Sequence, residues 1–225
     1  MFLGHFALGF AAKRAAPRVS LAGLFAAAQF ADLVWPIFVA TGVEIVRIAP
    51  GDTAFTPLEF VSYPYSHSLV ALFFWGAAFA AAYRLLAHRN GATVAVLLAL
   101  VVSHWVLDVA SHRPDMPLYP DGPKFGLGLW NSVPITLIVE LAMFAAGVWI
   151  YSRSTRPRDG RGRWGYVGMI AFMLTAYLGA AFGPPPPSVT ALWTTAMIGV
   201  AVLMLWAWWI DRHREPMPAR AVFRT

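Results

Sequence analysis

The chain alternates between long apolar runs and short stretches that are rich in charge, glycine or proline. Six of the runs hold the roughly 20 residues that a helix needs to cross a bilayer. They predict membrane spans over residues 19–48, 66–86, 92–111, 133–151, 164–182 and 189–210. A further apolar run, residues 2–12, is too short to span and predicts a helix that reaches about halfway through the membrane.

The first predicted span contains a proline at position 36. Proline lacks the amide hydrogen, and its ring clashes with the preceding turn, so it kinks or breaks a helix. We therefore expect a kink at Pro36 that turns Asp32 towards the other polar groups. Four remaining connections are rich in glycine, proline or charge: residues 49–65, 113–132, 153–163 and 184–187.

The composition places the chain among membrane proteins. Hydrophobic residues make up 59% of the sequence and charged residues only 12%, whereas a soluble domain is about 25% charged. We therefore predict an all-α fold: a polytopic transmembrane helical bundle of about six spans plus the short N-terminal helix. It would form one domain over residues 1–225, with a polar site in 1–152, two additional spans in 164–210 and a polar cytoplasmic tail in 211–225. The sequence has no cysteine, which excludes disulfides and thiolate metal ligands.

The net charge of +6 reflects where the basic residues lie. They cluster at alternate span ends, around residues 13–18, 84–89, 153–163 and 212–224. Only Arg47, Arg113 and Lys124 fall at the opposite ends. This segregation follows the positive-inside rule, so it predicts a cytoplasmic C-terminus and explains the charge without nucleic-acid binding. The first residues have no basic segment before their apolar run, so they are not typical of a cleaved signal peptide.

One predicted span ends in a stripe of ionisable side chains. His104, Asp108 and His112 are spaced four residues apart, so they lie above one another on one face of a helix. Pro114 disfavours helix at Arg113, which places the stripe at a helix terminus. Two imidazoles and a carboxylate offer the nitrogen and oxygen ligands that a metal such as zinc binds. The alternative is a polar helix end that faces water.

Four more ionisable residues come from other predicted segments and reach a similar depth. With a rise of about 1.5 Å per residue, we place His5, Asp32, His67 and Glu140 in the outer half of the membrane. Ionisable groups inside a membrane are costly and usually face one another or a cavity. We therefore predict a divalent metal, with zinc as the expected ion, held by His5, Asp32, His67, His104, Asp108 and His112.

Several of these residues also have a simpler interpretation. His5 could be an interfacial histidine, and His67 could cap the helix that follows it. Glu140 could pair helices or carry a proton. A carboxylate that is free of metal, either Glu140 or Asp108, could instead act as a catalytic general base.

Charged residues near the span ends receive separate predictions. Glu44 is expected at the rim of the site, and His88 and His213, beside arginines, are expected in solvent. Arg113 and Lys124 lie on the loop above the site. They are either ordinary loop charges or cations that bind an anionic substrate group such as phosphate.

The polar motifs occur in a fixed order within residues 1–140. They are Gly4-His5, Gln-Phe-Ala-Asp32, Tyr-Ser-His67-Ser and Ser-His104-x-x-x-Asp108. This ordered set resembles the metal-dependent hydrolases of the bacterial inner membrane, some of which are labelled LexA-binding, inner-membrane-associated hydrolases. The order is also similar to that of the metal ligands of zinc-dependent phospholipase C, a soluble all-helical family. The chain lacks that family's clear His-x-x-x-Glu, for which His112 and Glu140 are possible substitutes.

The resemblance implies a multi-pass inner-membrane hydrolase with one or two metals. A metal-bound water becomes a nucleophile near neutral pH, so the expected reaction is hydrolysis of a phosphoester or a related ester. Because the polar groups lie in the outer half of the membrane, a lipid or another small amphiphile from the outer leaflet is the expected substrate. The lipid bilayer itself is the other expected partner.

Two alternative functions belong to other classes. A metal or proton transporter also places carboxylates and histidines within its spans. However, it needs access from both faces, and here the cytoplasmic half of the spans carries few polar residues. A non-catalytic membrane assembly protein would not require an ordered set of histidines and aspartates. The oligomeric state stays open.

Overall fold

The computed structural model describes residues 1–87 and 91–217, and most of them are helical. The helices are α1 Leu3–Ala12, α2 Leu21–Ala28, α3 Phe30–Ala40, α4 Pro64–His67, α5 Leu69–Ala87, α6 Gly91–Ser111, α7 Val133–Ser154, α8 Gly160–Phe182 and α9 Val189–Arg212. Within the described residues, α5 to α9 are long and apolar enough to cross a membrane, and α2 and α3 together form a sixth, bent candidate span. The all-α polytopic fold predicted from the sequence is therefore confirmed.

The short N-terminal helix also forms as the sequence predicts. α1 contains 10 residues, which corresponds to about 15 Å, or half of the hydrocarbon thickness. Its N-terminus is buried among the longer helices, with Leu3 and Phe6 at most 1% exposed. Helix α1 packs against α7, α2 and α6, so it inserts into the bundle from the end that carries the basic residues.

Short antiparallel strand pairs tie the loops together at both ends of the bundle. At one end β1 (Ile45–Ile48) pairs with β2 (Leu58–Ser62), and β3 (Met116–Pro117) pairs with β4 (Lys124–Phe125). At the other end β5 (Thr155–Pro157) pairs with β6 (Arg214–Pro216).

The first span differs from the sequence prediction in where it bends and where it ends. The bend of 59° lies at Gln29, between α2 and α3, whereas Pro36 lies inside α3. Helix α3 then ends at Ala40, and Gly42 follows with a φ of 75°. This left-handed conformation is the common way to end a helix, and glycine adopts it without steric cost. The apolar residues of β1 therefore belong to a hairpin, although their hydropathy suggested a continued span.

Close packing of α1 against α7 depends on a small residue. A Cβ atom on Gly147 of α7 would lie 2.4 Å from the backbone oxygen of Ala7, so glycine allows the two backbones to meet, as at many membrane helix interfaces. Phe10 of α1 makes edge contacts with the rings of Phe25 in α2 and Tyr151 in α7. These contacts fix the depth of α1 in the bundle.

The basic end of the bundle is held by buried ion pairs and hydrogen bonds. Lys13 Nζ donates to Asp211 Oδ1 (3.0 Å) and to the Val19 carbonyl (2.7 Å). The buried Arg214 donates to Thr155 and to the Gly162 carbonyl. Since α1, α7 and α9 all end on this side, the structure brings together the predicted basic clusters at 13–18 and 153–163 and the described beginning of the C-terminal one.

Two predictions about histidines concern this end of the bundle. His213 is not simply solvated, because its Nδ1 lies 2.7 Å from Asp159 Oδ2 and its side chain is only 19% exposed. A hydrogen bond from the Gly162 backbone N–H, together with His213, lowers the pKa of Asp159 from its ordinary value. His88, also expected in solvent, and residues 218–225 of the tail lie outside the described residues.

Candidate metal centre

Two interrupted helices create the polar region in the half of the bundle opposite the basic end. The N-terminus of α1 ends there, and the bend at Gln29 separates α2 from α3 at a similar depth. Backbone groups at helix ends have no partner within the helix. Non-helical backbone is tolerated at membrane depth only where protein or a cavity surrounds it. Side chains from α4, α6 and α7 meet these helix ends.

Five of the predicted ligands converge at this point. They form two overlapping groups that share His104: one contains His5 and Asp108, and the other contains Asp32 and His67. Within each group the candidate ligand atoms all lie within 4.8 Å of one another. Although the five residues come from four separate helices, they therefore occupy one small volume.

The protonation of His104 is determined by its surroundings. Its Nδ1 lies 2.9 Å from the Ala28 carbonyl oxygen, at the end of α2. A carbonyl can only accept, so Nδ1 carries the proton and donates it. Nε2 then presents a lone pair in the neutral ring. Among the described residues this nitrogen makes no hydrogen bond, although it lies 3.1 Å from Asp108 Oδ2 and 3.8 Å from Asp32 Oδ1.

His67 and His5 complete the set from two other directions. His67 Nε2 lies 3.5 Å from Asp32 Oδ1 and 3.8 Å from Asp108 Oδ2. His5 Nε2 lies 3.0 Å from Asp108 Oδ1, and its ring stacks on that of His104 with centroids 3.6 Å apart. The Met1 amino group also donates to Asp108 Oδ1 and, at 3.2 Å, to Ser111 Oγ. Asp108 is therefore the hub of the cluster.

These separations fit a divalent metal. Zinc binds imidazole nitrogen and carboxylate oxygen at about 2.0–2.2 Å, so two ligands of one tetrahedral ion lie about 3.3–3.6 Å apart. The imidazole–carboxylate distances in the cluster run from 3.0 to 3.8 Å. The donor set of imidazoles and carboxylates is one that zinc uses in catalytic sites.

Glu140 takes a different position from the one expected of a catalytic base. Its Oε2 accepts hydrogen bonds from the backbone N–H groups of Phe2 (2.9 Å), Leu3 (2.7 Å) and Gly4 (3.3 Å). The carboxylate thus caps the N-terminus of α1, where a negative charge is also favoured by the helix dipole. Glu140 holds in place the helix that carries His5.

His112 belongs to a neighbouring polar cluster and not to either metal group. Its Nδ1 lies 3.0 Å from Asp115 Oδ1, which also accepts a 2.6 Å hydrogen bond from the Tyr63 hydroxyl. Burial, reinforced by Asp115, raises the pKa of Tyr63, so its hydroxyl stays protonated and donates. The stripe predicted on α6 is interrupted because the helix ends at Ser111, and His112 turns towards the loops at the end of the bundle opposite the basic residues.

The two predicted substrate-binding cations have different surroundings. Arg113 pairs with Asp52 and, at 3.3 Å, with Asp115, so two carboxylates compensate its charge. This pairing argues against the predicted role of Arg113 in binding an anion. Lys124 is exposed and lines a surface cavity of about 180 Å³ together with Tyr63 and Asp115.

One member of the cluster reaches the molecular surface. The side chain of Asp32 is 35% exposed, whereas those of His5, His67, His104 and Asp108 are at most 5% exposed. The cluster therefore meets the molecular surface at Asp32.

The sequence prediction missed the residues that hold the ligands. Glu44, expected at the rim, is only 1% exposed and lies behind His67, with Ser66 between them. The sequence contained part of this signal, because Tyr-Ser-His-Ser was recognised as the start of a helix. The role of the Ala28 carbonyl could not be predicted from the sequence, since every residue has a backbone carbonyl.

Comparisons with protein-family models, with curated proteins and with solved structures found no match for this chain.

Proposed function

We propose that this membrane protein is a metal-dependent hydrolase that acts on a phosphoester or a related ester, with one divalent ion, expected to be zinc, in the outer half of the bundle. The observation that carries the proposal is the Nε2 of His104, which makes no hydrogen bond among the described residues and faces the carboxylates of Asp108 and Asp32. With the ring neutral and its proton on Nδ1, a divalent cation between Nε2 and the carboxylates would bind the lone pairs that face one another. The resemblance of the polar motifs to inner-membrane hydrolases points to the same chemistry.

The valence of His104 supports a single metal ion. Two carboxylates, Asp32 and Asp108, face the histidines, and the Met1 amino group compensates part of the charge of Asp108; a metal would compensate the charge that remains. Because Nδ1 of His104 is committed to Ala28, only one lone pair of this histidine remains, and one lone pair binds one metal. The two overlapping groups therefore describe neighbouring ligands of the same ion.

The roles of the residues in hydrolysis follow from their contacts. A bound divalent metal supplies Lewis acidity and lowers the pKa of a water ligand. Asp108 and His104 are fully buried and serve as ligands. Asp32, which reaches the surface, is placed to accept a proton from an incoming water. Glu140 acts at a distance by anchoring α1.

The surroundings of the cluster favour a hydrolase over a transporter. Between the cluster and the ion pairs of the basic end, the described residues include a layer of buried apolar side chains, among them Leu24, Leu97, Leu100 and Val101. An ion would have to cross this layer without polar contacts, which is costly in a low-dielectric interior. Of the five cluster residues, Asp32 alone is substantially exposed, which suits a substrate from one face, and a lipid or another amphiphile of the outer leaflet fits this access.

We place the protein in the cell's inner membrane with the basic end in the cytoplasm, because 153–163 and the other arginine-rich stretches share that end. A reporter fused to the C-terminus is expected to fluoresce in the cytoplasm, and alkaline phosphatase fused there is expected to stay inactive. A matched fusion in the 113–132 loop should give the opposite result. An active phosphatase at the C-terminus would reverse the orientation.

The proposed function is tested on the purified full-length protein. We expect about one zinc per chain by elemental analysis after zinc loading and removal of free metal. We also expect turnover of at least one substrate in a panel of fluorogenic phosphomonoesters, phosphodiesters and carboxyl esters with and without acyl chains. Chelation should abolish this turnover, and zinc should restore it. Failure to bind zinc or any other divalent metal would refute the metal centre, whereas bound metal without turnover would refute the hydrolase.

A further inference from the structure

A chain of three buried side chains lies behind one of the proposed ligands. Ser66 Oγ is 2.6 Å from Glu44 Oε2 on one side and 2.6 Å from His67 Nδ1 on the other. All three residues are at most 4% exposed, so water does not compete for these hydrogen bonds. His67 Nε2, at the opposite edge of the ring, faces Asp32 and Asp108.

The direction of each hydrogen bond in this chain is fixed by the available protons. An ionised carboxylate only accepts, and a hydroxyl has a single proton to donate. Ser66 therefore donates its proton to Glu44, and its oxygen accepts a proton from His67 Nδ1. With the proton on Nδ1, the Nε2 atom of His67 is left with a lone pair that points into the cluster.

The carboxylate of Glu44 is itself held in place. Its Oε1 accepts hydrogen bonds from the backbone N–H groups of Tyr65 (2.9 Å) and Ser66 (2.8 Å) at the start of α4. Together with the Ser66 hydroxyl, three donors point at this carboxylate, so both of its oxygens act as acceptors. Glu44 is therefore the terminal acceptor of these hydrogen bonds. It determines which group donates in each hydrogen bond from His67 through Ser66.

We propose that Glu44 and Ser66 are positioning residues that set the tautomer of His67 so that its Nε2 can bind the metal. The inference rests on the proposed metal centre, and it adds two residues that do not touch the ion. Outer-shell partners of this kind fix the orientation and tautomer of a metal-binding histidine and raise its basicity.

The substitution Glu44→Gln separates this role from a merely structural one. The amide oxygen of glutamine still accepts from the two backbone N–H groups, so the start of α4 keeps its cap. The amide nitrogen, however, donates to Ser66 where the carboxylate accepted. Ser66 then directs its own proton to His67 Nδ1, and the proton of the ring moves to Nε2, where it blocks the metal.

The tautomer can be measured without metal. We expect the nitrogen NMR shifts of His67 in selectively labelled, metal-free protein to report a protonated Nδ1 in the wild type and a protonated Nε2 in Glu44→Gln. Zinc affinity in the same variant should fall about 10–100-fold. The control Glu59→Gln, which changes a β2 carboxylate 3.6 Å from Arg47, should leave both the tautomer and the affinity unchanged.

A double substitution tests whether the effect passes through Ser66. In a Ser66→Ala background there is no hydroxyl that could switch from donating to residue 44 to donating to His67. Adding Glu44→Gln to this variant should therefore lower the zinc affinity little further. The inference would be overturned if Glu44→Gln lowered the zinc affinity equally in the presence and absence of Ser66. It would also be overturned if Glu44→Gln left the His67 tautomer unchanged. A wild type that shows the Nδ1 tautomer but binds no metal would instead refute the proposed function while the tautomer assignment stands.

Discussion

Replacing His104 by alanine is expected to lower the zinc affinity by more than about 100-fold, because the loss of an outer-shell partner alone costs about 10–100-fold. His104 is shared by both candidate ligand groups, so its loss disrupts each of them. Asp108→Asn, which keeps the side-chain volume and removes the charge, should have a similar effect. Zinc titration of the metal-free protein gives the affinities, and bound zinc per chain gives the stoichiometry.

The matched control for this prediction is His213→Ala. His213 pairs with Asp159 at the basic end of the bundle, far from the cluster, so its loss should leave zinc binding at the wild-type level. Each variant should still insert and elute as a folded protein, since insertion depends on the hydropathy of the spans. Wild-type zinc affinity in both His104→Ala and Asp108→Asn would show that the ion, if one binds, lies elsewhere.

Replacing Glu140 by leucine is expected to destabilise the bundle by about 3 kcal/mol or more. Three backbone N–H groups of the α1 N-terminus lose their acceptor, and each buried donor left unsatisfied costs about 1–3 kcal/mol. Denaturant titration of the protein in detergent micelles, followed by tryptophan fluorescence, measures this loss. Zinc affinity should fall as well, because α1 carries His5.

Glu140→Gln is the control variant, because it removes the negative charge but keeps an oxygen that can accept the hydrogen bonds of the cap. Its amide oxygen can still accept from the backbone of α1, so most of the stability should remain. If the leucine and glutamine variants have the same free energy of unfolding, the cap does not hold α1 in place. A complete loss of turnover in Glu140→Gln with zinc binding and stability intact would instead favour Glu140 as a general base.

The long spans were predictable because hydropathy alone defines them. Helices α6, α7 and α9 begin within one residue of their predicted starts, where a polar or proline-containing loop gives way to an apolar run. The bend at Gln29 was not predictable, because it carries no local breaker and is accompanied by a tertiary hydrogen bond from His104 to Ala28. Gly42 did provide a local signal for the end of α3, but the apolar residues of β1 outweighed it.

The cluster itself was predictable from depth. Ionisable groups inside a membrane are costly, so they lie where they compensate one another. The helical rise per residue is sufficient to compare the depths of the five residues that meet: His5, Asp32, His67, His104 and Asp108. The direction in which each side chain points could not be predicted in the same way. His112 shares the predicted face of α6 with His104 but lies just beyond the helix end, so helical spacing no longer controls its orientation.

The dependence of α1 on α7 also sets the order in which the site is assembled during synthesis. Leu3 and its acceptor Glu140 are separated by 137 residues, so α1 leaves the ribosome long before its partner exists. A ten-residue helix cannot span the bilayer by itself, and the hydrogen bonds that cap its N-terminus form only once α7 is in place. Because α1 carries His5, the position of His5 in the cluster depends on α7 as well. The complete ligand set therefore exists only in chains that have finished inserting α7.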